Sequence, residues 1–245
     1  MLRTAVLTLA VPMLLAGPAF AAETPSKAFD ETRALAAEGR LSVDTYKGRV
    51  TVWTWDREEV SVRAVVSPDG DCGEAADLVA RTRVRVEGGG KEVRVVSDYD
   101  DLPKVRFGFP GDCGNRPFVN YEIRMPRGAS LEVKDYKSRI RVEGVGGPVA
   151  IDTYKGTVRL KGLRGPLDLE TYKGDVVAEL DRVAGDLRAE TYKGRIELVL
   201  PQGVRVDLRE KVGRRGTFRS DVETAPGGPR LTAETYKGTL RVRAR

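Results

Sequence analysis

The chain has 245 residues, with 42 Lys and Arg against 36 Asp and Glu, a formal net charge of +6, and no histidine. Without histidine there is no Ser-His-Asp or Cys-His catalysis and no His-ligated zinc or copper site, and neither a metal nor a cofactor is expected. Arginine outnumbers lysine 30 to 12 and is spread along the chain, whereas a nucleic-acid binder concentrates its positive charge.

The first residues read as a targeting segment. Met1-Leu2-Arg3 is a short basic start, Ala5 to Leu15 is apolar apart from Thr8 and Pro12, and Ala19-Phe20-Ala21 offers a small-x-small cleavage site. This pattern is a secretory signal peptide over residues 1–21, and its apolar run is too short to span a bilayer. No cysteine follows it to take a lipid, and no second apolar stretch is long enough for a transmembrane segment. The mature chain is expected to be exported, periplasmic or secreted.

Residues 22–37 are a polar, Ala-rich lead-in to a domain expected over 38–245. Leu41, Val43 and Thr45 alternate with polar residues, Lys47-Gly48 turns, and Val50 and Val52 resume the alternation. Residues 56–125 then interrupt the pattern. Val60 to Val66 reads as a strand and Glu74 to Ala80 as a short helix. Arg83 to Glu87 and Glu92 to Ser97 flank Gly88-Gly89-Gly90-Lys91, a hairpin signal. Cys72 and Cys113 are the only cysteines, each set in Gly-Asp-Cys-Gly. In an exported chain they are expected to form one disulfide, worth roughly 4 kcal/mol in the chain-entropy model. Tyr121 to Met125 is a further strand, and Pro126-Arg127-Gly128 a turn.

From there a short pattern dominates. Asp/Glu-Thr-Tyr-Lys-Gly occurs at 44–48, 152–156, 170–174, 190–194 and 234–238, with a degenerate copy, Lys134-Asp135-Tyr136-Lys137-Ser138. From Tyr136 the steps between tyrosines are 18, 18, 20 and 44 residues. A fixed short period means one structural unit stacked on itself. Leu167, Leu169 and Thr171, then Val176 and Ala178 beyond the turn, share the inward face. Asp168, Glu170 and Tyr172 share the outward one. The repeat glycines are expected to supply positive φ. Between Tyr192 and Tyr236 lies one degenerate coil, Val204 to Gly213, that lacks the Tyr-Lys pair. The expected fold is all-β: a single-stranded-coil β-solenoid, β-roll or β-helix-like, with coils of about 18–22 residues. A hairpin-containing elaboration at 56–125 is added to it.

Several stretches together resemble a bacterial family of putative adhesins, the domain of unknown function 4097 family. They are Leu41-Ser42-Val43, Val50-Thr51-Val52, Trp55-Asp56, Val60-Ser61-Val62-Arg63-Ala64, and Tyr121-Glu122-Ile123-Arg124-Met125-Pro126-Arg127-Gly128-Ala129. The resemblance implies a β-solenoid in or facing the envelope and carries over no catalytic residue. The uniform Tyr-Lys-Gly at the turns departs from it.

Stacking places Tyr136, Tyr154, Tyr172, Tyr192 and Tyr236 in a column, with Lys155, Lys173, Lys193 and Lys237 beside it. This column is either a ladder that holds register or a binding stripe whose rings stack on sugars and whose lysines attract anions. The acidic residue two before each tyrosine is expected to neutralise the lysines. Asp152, Glu170, Glu190 and Glu234 also align. Of Trp53 and Trp55, either one faces outward as an anchor or a strand pairing buries both, and the sequence favours neither. The reading is an exported, non-enzymatic, adhesin-like protein with an envelope glycan, lipid or protein as partner. Two alternatives are a polysaccharide-acting enzyme on a solenoid scaffold and a periplasmic stress-signalling module.

Overall fold

Alternation of apolar and polar residues turns almost the whole chain into strands. The computed structural model describes residues 24–70, 73–103 and 116–245. The signal-peptide residues, Cys72 and Cys113 lie outside the described residues. In chain order the elements are β1 (Lys27–Trp55), β2 (Glu59–Ser67), α1 (Ala75–Arg81), β3 (Arg83–Asp98), β4 (Phe118–Pro126) and β5 (Ser130–Glu143). Then come β6 (Val149–Thr153), β7 (Thr157–Leu163), β8 (Leu167–Thr171), β9 (Asp175–Leu180), β10 (Leu187–Thr191) and β11 (Arg195–Leu200). The last are β12 (Arg205–Val212), β13 (Thr217–Ser220), β14 (Glu223–Thr224), β15 (Arg230–Thr235) and β16 (Thr239–Ala244).

Each repeat is a strand, a corner at Tyr-Lys-Gly, and a second strand. The first strands pair in parallel as β5-β6-β8-β10-β15-β12, and the second strands as β5-β7-β9-β11-β16-β13. The two rows of strands meet through β5, which runs unbroken around its corner. Its first half pairs with β6 and its second half with β7. β1 does the same one layer earlier, pairing with β5 from Arg40↔Ser130 to Trp53↔Glu143. The result is an all-β, solenoid-like stack of parallel strands. Its inward positions form one core: Leu41, Leu131, Leu169, Leu187 and Leu231 are each 0–1% exposed. Leu, Val and Ile at such positions each contribute roughly 1.5–3 kcal/mol by burial.

Stacking order differs from chain order at both ends. β15 and β16 lie directly on β10 and β11, with Leu187↔Leu231 and Ile196↔Leu240 in register. The degenerate strands β12 and β13, which precede them in sequence, pack on their far side. The coil between Tyr192 and Tyr236 is therefore the outermost layer. At the other end β3 and β4 pair with β1 on the side away from β5. β2, β3 and β4 cap the N-terminal end of the stack, inserted in sequence between two layers, β1 and β5, that touch in space. β2 runs antiparallel to β4 and to Lys27–Ala34, and covers that edge. The chain doubles back at Gly88 and Gly90, whose φ values are +85° and +69°, and Arg85 reaches Asp98 at 3.3 Å. Edge strands β12 and β13 carry Arg209, Lys211 and Arg219, charges that oppose further pairing.

Candidate functional site: the tyrosine–lysine corner

The corner is built by the repeat itself. Thr153, Thr171 and Thr191 point inward, 1–2% exposed, and their Oγ atoms accept the backbone N–H of Gly156, Gly174 and Gly194 at 3.0, 2.7 and 2.8 Å. This three-residue clasp turns the chain and throws the intervening Tyr and Lys outward. In the last copy Thr235 Oγ1 is buried without a partner among the described residues.

The turn glycines have a different cause from the one expected. Of the five, only Gly48 has a positive φ, +139°. At Gly156, Gly174, Gly194 and Gly238 an added Cβ would stand 2.0–2.5 Å from a carbonyl oxygen of the preceding layer. The corners of neighbouring coils press together, and only a residue without a side chain fits.

The tyrosines form a continuous stack. Tyr46, Tyr136, Tyr154, Tyr172, Tyr192 and Tyr236 follow one another with ring centroids 4.7, 4.9, 4.8, 4.8 and 5.0 Å apart and interplanar angles of 3–9°. This is the strand spacing, so the rings inherit the register of the sheet. Each interior ring face is covered by a neighbouring ring. What reaches solvent is a row of ring edges and hydroxyls, with Tyr136 40%, Tyr154 38% and Tyr236 53% exposed. Internal rungs therefore offer no free face on which a sugar ring can lie. The N-terminal end of the column is closed by the Arg116 guanidinium, 4.5 Å from the Tyr46 centroid, and by Tyr99 edge-on at 6.1 Å.

The lysines stand free of the acids. Among the described residues Lys137, Lys155, Lys173, Lys193 and Lys237 make no ion pair. The ammonium groups of Lys173, Lys193 and Lys237 lie 5.4–5.7 Å from tyrosine centroids instead. The acidic column points onto the adjoining face. There Arg188 gathers Asp168 at 3.0 Å, Glu170 at 3.7 Å and Glu190, and Lys211 meets Glu234 at 3.4 Å. The expected neutralisation of lysines by these carboxylates does not occur: the acids stand on the outer face of the first strands, and the chain turns before it reaches the lysines at the corner.

Two ionisable groups, buried Lys47 and half-buried Asp135, mark the N-terminal part of the corner. Lys47 is 5% exposed, pairs with Asp69 and sits 4.7 Å from the Phe118 centroid. Burial lowers its ammonium pKa against the opposing pull of Asp69. Asp135 occupies the threonine position of the degenerate copy. It accepts from Ser138 N–H at 2.7 Å, Lys137 N–H at 3.1 Å and Thr153 Oγ1–H at 2.9 Å. Burial raises its carboxyl above the ordinary value, and these hydrogen bonds pull it partly back.

The structure thus brings every proposed stripe residue, Tyr136 through Lys237, into one line. It also shows groups the repeat pattern does not reveal: the Arg116 cap, buried Lys47, and an arginine cluster on the outer face of the second row of strands. Trp53 and Trp55 share strand parity, and both are half-buried rather than split. Trp55 Nε1 donates to the Glu59 carbonyl at 2.8 Å.

No protein-family model matches this chain, and no curated protein sequence matches it. Solved structures do. One is a putative cell adhesion protein from Clostridium sporogenes, with a TM-score of 0.50 and 10% identity over 89% of this chain and 100% of that one. The likeness is one of fold. A putative adhesin from Bacteroides fragilis matches with a TM-score of 0.30 and 11% identity over 89% and 97% of the two chains. A putative lipid binding protein from Parabacteroides distasonis matches with a TM-score of 0.28 and 12% identity over 87% and 96%. Among the described residues no helix is long and apolar enough to cross a membrane.

Proposed function

We propose that this chain is an exported, non-enzymatic, adhesin-like binding protein of the bacterial envelope, built as a β-solenoid with coils of about 18–22 residues. The observation that carries the reading is the repetition at the corner. An unpaired ammonium and a tyrosine hydroxyl edge return at each 4.8–5.0 Å step from Tyr154 to Tyr236. Such a row is suited to an extended partner with repeated anionic groups, which meets the same chemistry at each step. The Clostridium sporogenes protein of similar fold is named a putative cell adhesion protein, which points the same way.

The test is binding of the purified mature protein to isolated cell envelopes at low and high salt. A Lys173→Ala/Lys193→Ala variant is expected to melt like the parent, since exposed charges contribute roughly 0–1 kcal/mol. It is expected to bind several-fold more weakly, with a shallower salt dependence. Undiminished envelope binding by this variant removes the corner from the reading.

A further inference from the structure

The outer face of the second row of strands carries a feature separate from the corner. The register sets Arg49 directly beside Arg139, and Arg141 directly beside Arg159. Arg139 and Arg141 are two residues apart on β5 and so point the same way. Four exposed guanidiniums are thereby gathered across three adjacent strands. Like charges directly opposite one another destabilise a sheet. Arg141 is partly relieved by Glu143 at 2.6 Å. Arg49, Arg139 and Arg159 make no ion pair among the described residues. They line an open groove of about 590 Å³ whose floor includes Thr51 and whose side is the half-buried ring of Trp53; Glu122 is the acid at its rim.

We propose that this groove binds an acidic saccharide chain. Guanidinium groups pair with carboxylates in a planar, two-pronged geometry. Neighbouring arginines here recur at the strand spacing of about 4.8 Å, comparable to the advance of one hexose unit along a chain. An indole at the side of such a row stacks on a pyranose ring. Among the described residues Trp53, unlike the tyrosines of the corner, belongs to no aromatic stack. Thr51 and Thr157 line the same groove, and threonine hydroxyls suit sugar hydroxyls. A nucleic-acid strand is served by successive aromatic platforms, one per base, and the groove has one. The proposal stands on residues apart from the corner and is independent of it.

Trp53 is its own reporter once Trp55 is changed to Phe. In that background the protein is titrated with hexagalacturonate, maltohexaose, a twelve-nucleotide single-stranded DNA and phosphatidylglycerol vesicles, at low and high salt. The expected result is a shift of Trp53 emission with hexagalacturonate that weakens as salt rises, and none with maltohexaose. Arg139→Ala/Arg159→Ala is expected to lower hexagalacturonate affinity at least tenfold with an unchanged melting temperature. Arg214→Ala/Arg215→Ala, which removes the same charge at the far cap, is expected to leave it within twofold. No hexagalacturonate binding overturns the proposal. So does equal affinity in the two double variants, and so does DNA or vesicle binding as tight as that of the uronate.

Discussion

Tyr192 stacks on Tyr236 with ring centroids 5.0 Å apart and planes within 9°, across a 44-residue step in sequence. The long step is the length of an end cap, Arg205 to Thr224, that the chain builds before returning to fill the gap beneath it. Tyr46 and Tyr136, 4.7 Å apart, stand in the same relation around the N-terminal cap. Each end layer is thus tied down by chain that leaves and re-enters the interior of the stack. The exposed terminal layers of a solenoid are where repeat arrays fray.

Leu240 accordingly behaves as core although it lies near the C-terminal Arg245. It is 0% exposed and pairs in register with Ile196 on one side and Phe218 on the other. Leu240→Ala is expected to cost about 2–5 kcal/mol, as much as Leu160→Ala in the middle of the stack. Chemical denaturation of both variants checks this. A Leu240→Ala protein with near-parental stability contradicts the inserted position of β16.

The strands and their faces were legible because alternation at Leu167, Leu169 and Thr171 is a local property of the chain. Stacking order was not, because the parallel register of β10 with β15 repeats that of β10 with β8, and nothing in either strand says which neighbour it takes. The loss of Tyr and Lys near Val212 was the one available signal, since an outermost coil needs no partner beyond it. The repeat alone points to φ as the reason for glycine, whereas at Gly156, Gly174, Gly194 and Gly238 the cause is a carbonyl from another layer. Arg141 and Arg159 stand one 18-residue period apart, but Arg49 meets Arg139 only by pairing across the 56–125 insertion, so the four-arginine face became visible only with the register.

Within the tyrosine column, position decides cost. Tyr172 has rings on both sides at 4.8 Å, whereas Tyr236 has one ring neighbour and is 53% exposed. An aromatic pair contributes about 0.5–1.5 kcal/mol beyond its buried area. Tyr172→Ala is therefore expected to lose about 1–3 kcal/mol and Tyr236→Ala distinctly less. Equal losses in thermal melting contradict a register-holding role for stacking.

A Cys72–Cys113 disulfide remains an expectation. The described flanks of both cysteine segments converge on one corner: Asp69 pairs with Lys47, and Arg116 lies over Tyr46. Non-reducing mass spectrometry of the exported protein is expected to show a mass two hydrogen atoms below the dithiol form. Two alkylatable thiols in the native protein overturn the pairing.

Asp135 supplies a prediction with a pH sign. Burial raises its folded pKa above the ordinary carboxylate value, so its contribution to stability is fully present below that ordinary value and is lost as pH rises through the folded pKa. At neutral pH the half-buried charge is a liability that the hydrogen bonds from Ser138, Lys137 and Thr153 offset only in part. Asp135→Thr restores the residue of the other copies, whose Oγ accepts the N–H three residues on, as at Thr171. The variant is expected to melt above the parent at pH 7, and the advantage is expected to narrow as pH falls toward 4. Thermal melting of both proteins across that range checks the slope as well as the sign. An advantage that is absent at pH 7, or that grows with acid, means the three hydrogen bonds to the carboxylate outweigh its desolvation.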